Sequence, residues 1–312
     1  MQDTQRKIRR GFTLIELLTV IAIIALLIGL LSVGSRRVTI ISRELRQKSV
    51  FHAMTVGLEL FHGDFGRYPD SALRGEDMGY AVTGAQHMAE ALQGRDQRGI
   101  EPRTGWYPPN DEMYQSAAVP DDLYTNTDAS LARRRGPYFE LKHGDMLRVP
   151  ELWEDSGGSP IYASNSVNPR DWSPMITDVF NRNTAPGGGR IGSPILYFKA
   201  EPAQPFRVGT DRNEVVNPGQ DEYSRWTYNF DDNLPVLQLP WLRDPDINGQ
   251  AVHYQDPDGG DKTPAQVFYE QITLREDPDR GFFRPHNRDT FILISAGWDG
   301  VFGTRQDVTN FD

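Results

Sequence analysis

Apolar and polar positions along the chain change regime twice. Residues Phe12 to Val33 are a nearly unbroken apolar run of 22 residues. As a helix rising about 1.5 Å per residue, such a run reaches roughly 33 Å, the thickness of a bilayer's hydrocarbon core. After Gly34, charge enters at Arg36, Arg37, Arg43, Glu44, Arg46 and Lys48, while apolar residues persist at Ile41, Leu45, Phe51, Met54, Leu58 and Phe61. Their spacing is mostly three or four, apart from the step from Leu45 to Phe51, and predicts one amphipathic helix continuing to about Phe61. Phe12 to Phe61 would then measure roughly 75 Å. Gly63, Gly66 and Pro69 end the pattern, because glycine and proline break a helix.

Beyond Gly66 the helical period is lost. Gly84 to Leu92 reads as one short helix stopped by Gly94. Short apolar or aromatic runs at Ser159 to Ala163, Pro194 to Ala200, Arg225 to Phe230, Val267 to Ile272 and Thr290 to Ser295 read as strands separated by Pro- and Gly-rich loops. The predicted fold class is α+β: a long N-terminal transmembrane and amphipathic helix packed on a loop-rich antiparallel β-sheet domain. Its expected division is a basic leader at 1–11, a transmembrane helix at 12–34, an amphipathic extension at 35–65 and a soluble β-rich domain at 66–312.

Composition narrows the function classes. Over 312 residues the mean hydropathy is -0.55 in spite of the apolar run, which leaves room for one anchor and excludes a multi-span membrane protein. The net charge of -10 argues against nucleic acid as a partner, since phosphate binding needs a basic surface. There are no cysteines, so thiol catalysis, Cys-type zinc sites and disulfides are excluded. The segment before the apolar run carries Arg6, Lys7, Arg9 and Arg10 against Asp3. A basic flank of this kind stays cytoplasmic, which sends everything after the span to the other side. No small-residue cleavage site of an ordinary secretory signal follows. Glu16 inside the span is costly unless it is paired or reaches the interface.

The segment Arg9-Arg10-Gly11-Phe12-Thr13-Leu14-Ile15-Glu16-Leu17 resembles the prepilin cleavage and methylation motif of type IV pilins and type II secretion pseudopilins. The family pattern has Gly before the cut, Phe after it and Glu as fifth residue of the mature chain. The resemblance implies a pilin-like fold, cleavage between Gly11 and Phe12 by a prepilin peptidase/N-methyltransferase, and N-methylation of Phe12. It also implies partners: other pilin or pseudopilin subunits, the inner-membrane assembly machinery and membrane lipid. The location it implies is a single pass through the inner membrane, with a cytoplasmic N-terminus and a periplasmic or extracytoplasmic domain. Glu16 of one subunit would neutralise the new Phe12 amine of its neighbour and set the assembly register. The simpler alternative is a signal anchor whose Glu16 sits at the headgroups. Gly63 to Pro69 is similar to the turn that follows the pseudopilin helix, and Gly157 to Tyr162 and Phe291 to Thr304 are similar to strands of the major pseudopilin.

Calcium is the one cofactor the sequence suggests. Asp244-Pro245-Asp246-Ile247-Asn248-Gly249 fits the start of a calcium loop with oxygen ligands on alternate residues, although Gln255 stands at position twelve in place of the bidentate Glu. The loop from Asp299 to Asp307 is a second candidate through its resemblance to the pseudopilin loop, which often binds calcium. The three Asp-Pro-Asp repeats (starting at Asp244, Asp256 and Asp277) also read simply as turns. No nucleophile elbow, metalloprotease helix, P-loop or dinucleotide fingerprint is present, and the chain reads as a structural subunit and not an enzyme. A membrane-anchored carbohydrate-binding module or hydrolase remains the alternative, motivated by the large soluble domain, its six tryptophans and acidic pairs such as Asp121/Asp122 and Asp231/Asp232.

Overall fold

The computed structural model describes residues 13–72, 81–104, 122–140, 146–152, 161–162, 168–184, 188–202, 227–239, 253–277 and 282–311. Helix α1 runs from Leu14 to Phe65, a few residues past the end expected from the periodicity. The chain divides within this helix into two compact units, Met1–Arg43 and Glu44–Asp312. In the first unit every large apolar side chain from Leu14 to Ile28 is between 46% and 82% exposed. Among the described residues no helix is long and apolar enough to cross a membrane. The span expected from Phe12 to Val33 falls partly outside them, since the described side chains of that run stop at Gly29.

In the second unit the remaining elements are α2 (Gly84–Gln93), α3 (Asp128–Arg133), β1 (Met146–Arg148), α4 (Val149–Leu152), β2 (Pro174–Ile176), β3 (Asn183–Thr184), β4 (Arg190–Ile191), β5 (Leu196–Lys199), α5 (Leu234–Leu237), α6 (Pro264–Gln271), β6 (Thr273–Asp277), β7 (Phe282–Pro285), β8 (Phe291–Ser295) and β9 (Val308–Thr309). The described strands form small antiparallel sheets, the central one ordered β5-β8-β9. The fold is thus α+β.

The central sheet is covered on both faces, which is why its strands are continuous apolar runs and not alternating ones. Side chains one apart on a strand point to opposite faces. Tyr197, Phe291 and Leu293 pack with Val50, Phe51, Met54 and Leu58 of α1 and Met88, Ala89 and Leu92 of α2. Leu196, Phe198, Ile292 and Ile294 pack on the other side with Phe230, Tyr254, Phe268 and Phe302.

Two expected strands are corrected. Val267 to Gln271 falls in α6, with Ile272 as its C-cap: Thr263 accepts the Gln266 N–H, the Gln266 side chain accepts the Thr263 N–H, and Pro264 opens the first turn. This capping box outweighs the β-preferring residues that follow. Of Arg225 to Phe230, the described part ends in a 3-10 turn, Phe230–Asn233, nucleated by the Asn229 side chain accepting from the Asp231 N–H. The Ser159 to Ala163 segment is described only at Ile161 and Tyr162, where Ile161 makes an isolated bridge to Ala81. Gly84–Gln93 and the strands at Leu196–Lys199 and Phe291–Ser295 lie where the pattern puts them.

Candidate functional site

Gly11 and Phe12 lie outside the described residues, so the geometry of the N-terminal site begins at Thr13. Glu16 Oε2 accepts the Thr13 N–H at 2.9 Å and the Thr13 hydroxyl at 2.8 Å, while the Glu16 N–H reaches back to Thr13 Oγ1 at 3.3 Å. This reciprocal pair is a capping box that satisfies backbone donors at the start of α1. The carboxylate is therefore held at the helix start on Thr13, the residue that follows Phe12 in sequence.

In the second unit α1 has two apolar faces. Val50, Phe51, Met54, Leu58 and Phe61 are buried, whereas Leu45, Val56 and Leu60 are 64%, 46% and 55% exposed. The sequence places Ile41 and Leu45 in one pattern with Phe51, Met54, Leu58 and Phe61, and the irregular step after Leu45 is where the stripe changes face. A cavity of about 350 Å³ runs beside the exposed face, lined by Ser49, Val50, Ala53, Val56, Tyr138, Phe139 and Glu140. Its wall is pinned at several points. The Tyr138 N–H donates to the Leu92 carbonyl at 2.8 Å, the Tyr138 hydroxyl donates to Asp64 at 2.6 Å, and Gln93 donates to the Phe139 carbonyl. Gly57 permits this approach, because a Cβ there would stand 2.8 Å from the Tyr138 carbonyl oxygen. Of the histidines on this helix, His52 is exposed and His62 stacks on Tyr68 at 4.6 Å.

The C-terminal loop brings Asp299 and Asp307 into one self-bonded turn. Asp299 accepts the Val301 N–H at 3.0 Å and the Thr304 hydroxyl at 2.9 Å. Asp307 Oδ2 accepts the Gly303 N–H at 2.8 Å and the Gln271 amide at 2.6 Å. Burial pushes the Asp307 carboxyl up to about 7, with the Asp299 charge adding to the rise and the Gln271 and Gly303 bonds opposing it. Asp307 Oδ1, Gln271 Oε1 and the Tyr254 hydroxyl are buried without a hydrogen-bond partner. They are neighbours: Gln271 bonds to Asp307, Tyr254 stands against Gly303, and burial, with the Asp307 charge adding to it, holds the Tyr254 phenol well above its ordinary pKa. All three are oxygens, the donor type that suits Ca²⁺, which takes about six to eight such ligands. Among the described residues no group of three or more His, Cys, Asp or Glu could hold a metal ion. The other proposed ligands, Asp244, Asp246 and Asn248, lie outside the described residues. Asp256 and Asp258 form a turn, with the Asp258 N–H on Asp256 Oδ1 at 3.1 Å.

One ionic cluster has no forerunner in the sequence, where Gly84 to Leu92 reads only as a short helix. Glu90 Oε1 accepts from Arg95 at 2.8 Å, Tyr124 at 2.8 Å and Thr104 at 3.0 Å. Arg134 lies 4.4 Å over the Tyr124 ring and bonds Asp96 at 2.8 Å. The acidic pairs have ordinary partners: Asp122 bridges to Arg133 and Arg103, and Asp232 accepts the Ser71 hydroxyl. Trp172 packs under Arg148 at 4.7 Å and Trp298 is 40% exposed; no tryptophan lines the cavity beside α1.

Comparison with curated proteins and with solved structures finds no match for the chain. Residues 6–32 match the family described as the prokaryotic N-terminal methylation motif. The match covers the basic flank, Gly11, Phe12, the Thr13–Glu16 cap and the exposed apolar start of α1, so the chain carries a prepilin-type leader of the kind found in type IV pilins and pseudopilins.

Proposed function

We propose that the protein is a structural subunit of a type IV pilus-like filament or type II secretion pseudopilus, cut after Gly11, methylated on Phe12 and assembled through α1. The observation that carries this reading is the methylation motif at residues 6–32 opening onto a helix whose apolar side chains are exposed from Leu14 to Ile28. A helix that is apolar on every side belongs in lipid or among other helices. The subunit sits in the inner membrane with its domain on the far side, and its work is mechanical, with no bond chemistry of its own. The partners that follow are the peptidase and methyltransferase, the assembly machinery and other subunits.

The test is intact mass and N-terminal sequencing of the membrane-extracted protein, beside a Glu16→Ala variant. A chain beginning at methylated Phe12, with Glu16→Ala cut but left out of filaments, is the expected result. An uncut chain, or assembly indifferent to Glu16, would overturn it.

A hard cation at the C-terminal loop is a second, separate reading, favoured by the three unpartnered oxygens around Asp307. Millimolar Ca²⁺ is expected to raise the melting temperature of the wild type and not of Asp307→Asn, because a ligand that binds only the folded state stabilises it. Equal shifts in both, or none in either, would remove calcium from this loop.

A further inference from the structure

Resting on the filament reading, we infer that the cavity beside α1 receives the Val38–Lys48 segment of α1 from a second copy of this chain. The receiving surface is apolar at its floor, through Val50, Ala53, Val56 and Phe139, and carries an exposed acid, Glu140, in its lining. Exposed Glu59 lies on the same helix, on the flank of the stripe that runs through Leu45, Ser49, Val56 and Leu60. The surface is already shaped, since Tyr138 and Phe139 are tied to α2 and to Asp64 and approach α1 across Gly57. A preformed wall spares the ordering cost of binding. Ser49 and Ala53, one turn apart, leave space for another helix to come close.

The segment offered by the second copy has the matching chemistry. Val38, Ile41 and Leu45, spaced three and four apart on one helix side, are 66%, 47% and 64% exposed. Arg43, Arg46 and Lys48 accompany them, all exposed. A basic amphipathic helix thus meets an acid-edged apolar groove, with opposite charges setting its register. The two surfaces are different patches of the same chain, so the contact is head-to-tail and propagates from copy to copy instead of closing into a dimer.

The absence of cysteine from the sequence makes disulfide trapping clean. The full-length chain carrying both Ile41→Cys and Ala53→Cys is oxidised in membranes beside each single variant. The expected result is a ladder of covalent multimers from the double variant, only a dimer from a mixture of the two singles, and no dimer from either single alone. Glu140→Lys in the double variant is expected to abolish the ladder, and adding Lys48→Glu to restore it, which a simple folding defect would not allow. Filaments that form without any 41–53 cross-link would overturn this contact and leave the filament reading standing. A processed chain that stays monomeric would overturn both, and dimers from Ala53→Cys alone would show a two-fold face in place of the head-to-tail one.

Discussion

Replacing Asp178 by Asn tests whether the second unit folds around a proton. Asp178 is 2% exposed; its Oδ1 accepts the Phe180 N–H at 3.1 Å and the Ser193 N–H at 3.2 Å, and its Oδ2 takes the Ser295 hydroxyl at 2.9 Å. Burial pushes the carboxyl from 3.8 up to about 7, against the pull of those bonds and of Arg182. The folded chain therefore keeps a proton that the unfolded chain releases above its ordinary carboxylate pKa, so stability falls as pH rises from about 4 to about 7 and levels off beyond. The rise of about three units corresponds to about 4 kcal/mol lost across that window. Asn can keep the two backbone bonds and turn its amide toward the Ser295 oxygen, which removes the titration at little cost in geometry. Urea unfolding of the detergent-extracted protein, followed by tryptophan fluorescence at pH 5, 6, 7 and 8, reads the effect. Asp178→Asn is expected to lessen the pH dependence, the remainder of which belongs to Asp232 and Asp307, and to be the more stable form at pH 8. A variant with the wild-type slope would refute the reasoning, because it would mean that Asp178 is ionised in the folded protein.

Three further outcomes are expected. Asp232, also raised to about 7 by burial, adds to the same loss, so Asp178→Asn with Asp232→Asn should flatten the curve more than either change alone in the same titration. Glu90→Gln withdraws the carboxylate from Arg95, which is 4% exposed, and should cost about 3–5 kcal/mol, as breaking a buried ion pair does; a loss below about 1 kcal/mol in urea unfolding would argue against that pairing. Gly57→Ala drives a Cβ to 2.8 Å from the Tyr138 carbonyl and should cost about 1–3 kcal/mol, lowering the melting temperature, while Ala53→Ser on the exposed face should leave it unchanged.

Local signals account for what could be read in advance. The apolar run after Gly11, the Gly84–Gln93 helix and the two strands buried on both faces are set by neighbouring residues. The Thr13-x-x-Glu16 spacing is itself a capping-box signature, a role for Glu16 separate from the charge cost and assembly register that its place in the apolar run suggests. The same spacing at Thr263 and Gln266 marks a helix start ahead of residues whose β propensity alone predicts a strand. What stayed hidden depends on contacts far apart in the chain. That α1 has two apolar faces follows from where residues 138–140 dock. The unpartnered oxygens around Asp307 need Tyr254, Gln271 and the C-terminal loop to meet, and Glu90 acquires its role only when Tyr124 folds onto it.

The central sheet also dictates an order of events. Leu196 pairs with Ile294, and β8 pairs in turn with Val308 and Thr309, so no part of this sheet closes until residues about a hundred positions beyond β5 have been delivered. Until then β5 and the buried face of α1 lack the strand that covers them. Such distant pairings form slowly, and their exposed edges invite aggregation. A domain whose first helix is made while β8 and β9 are still to come would benefit from a holding chaperone. Truncating the chain before Val308 should therefore impair folding while sparing the cleavage proposed after Gly11.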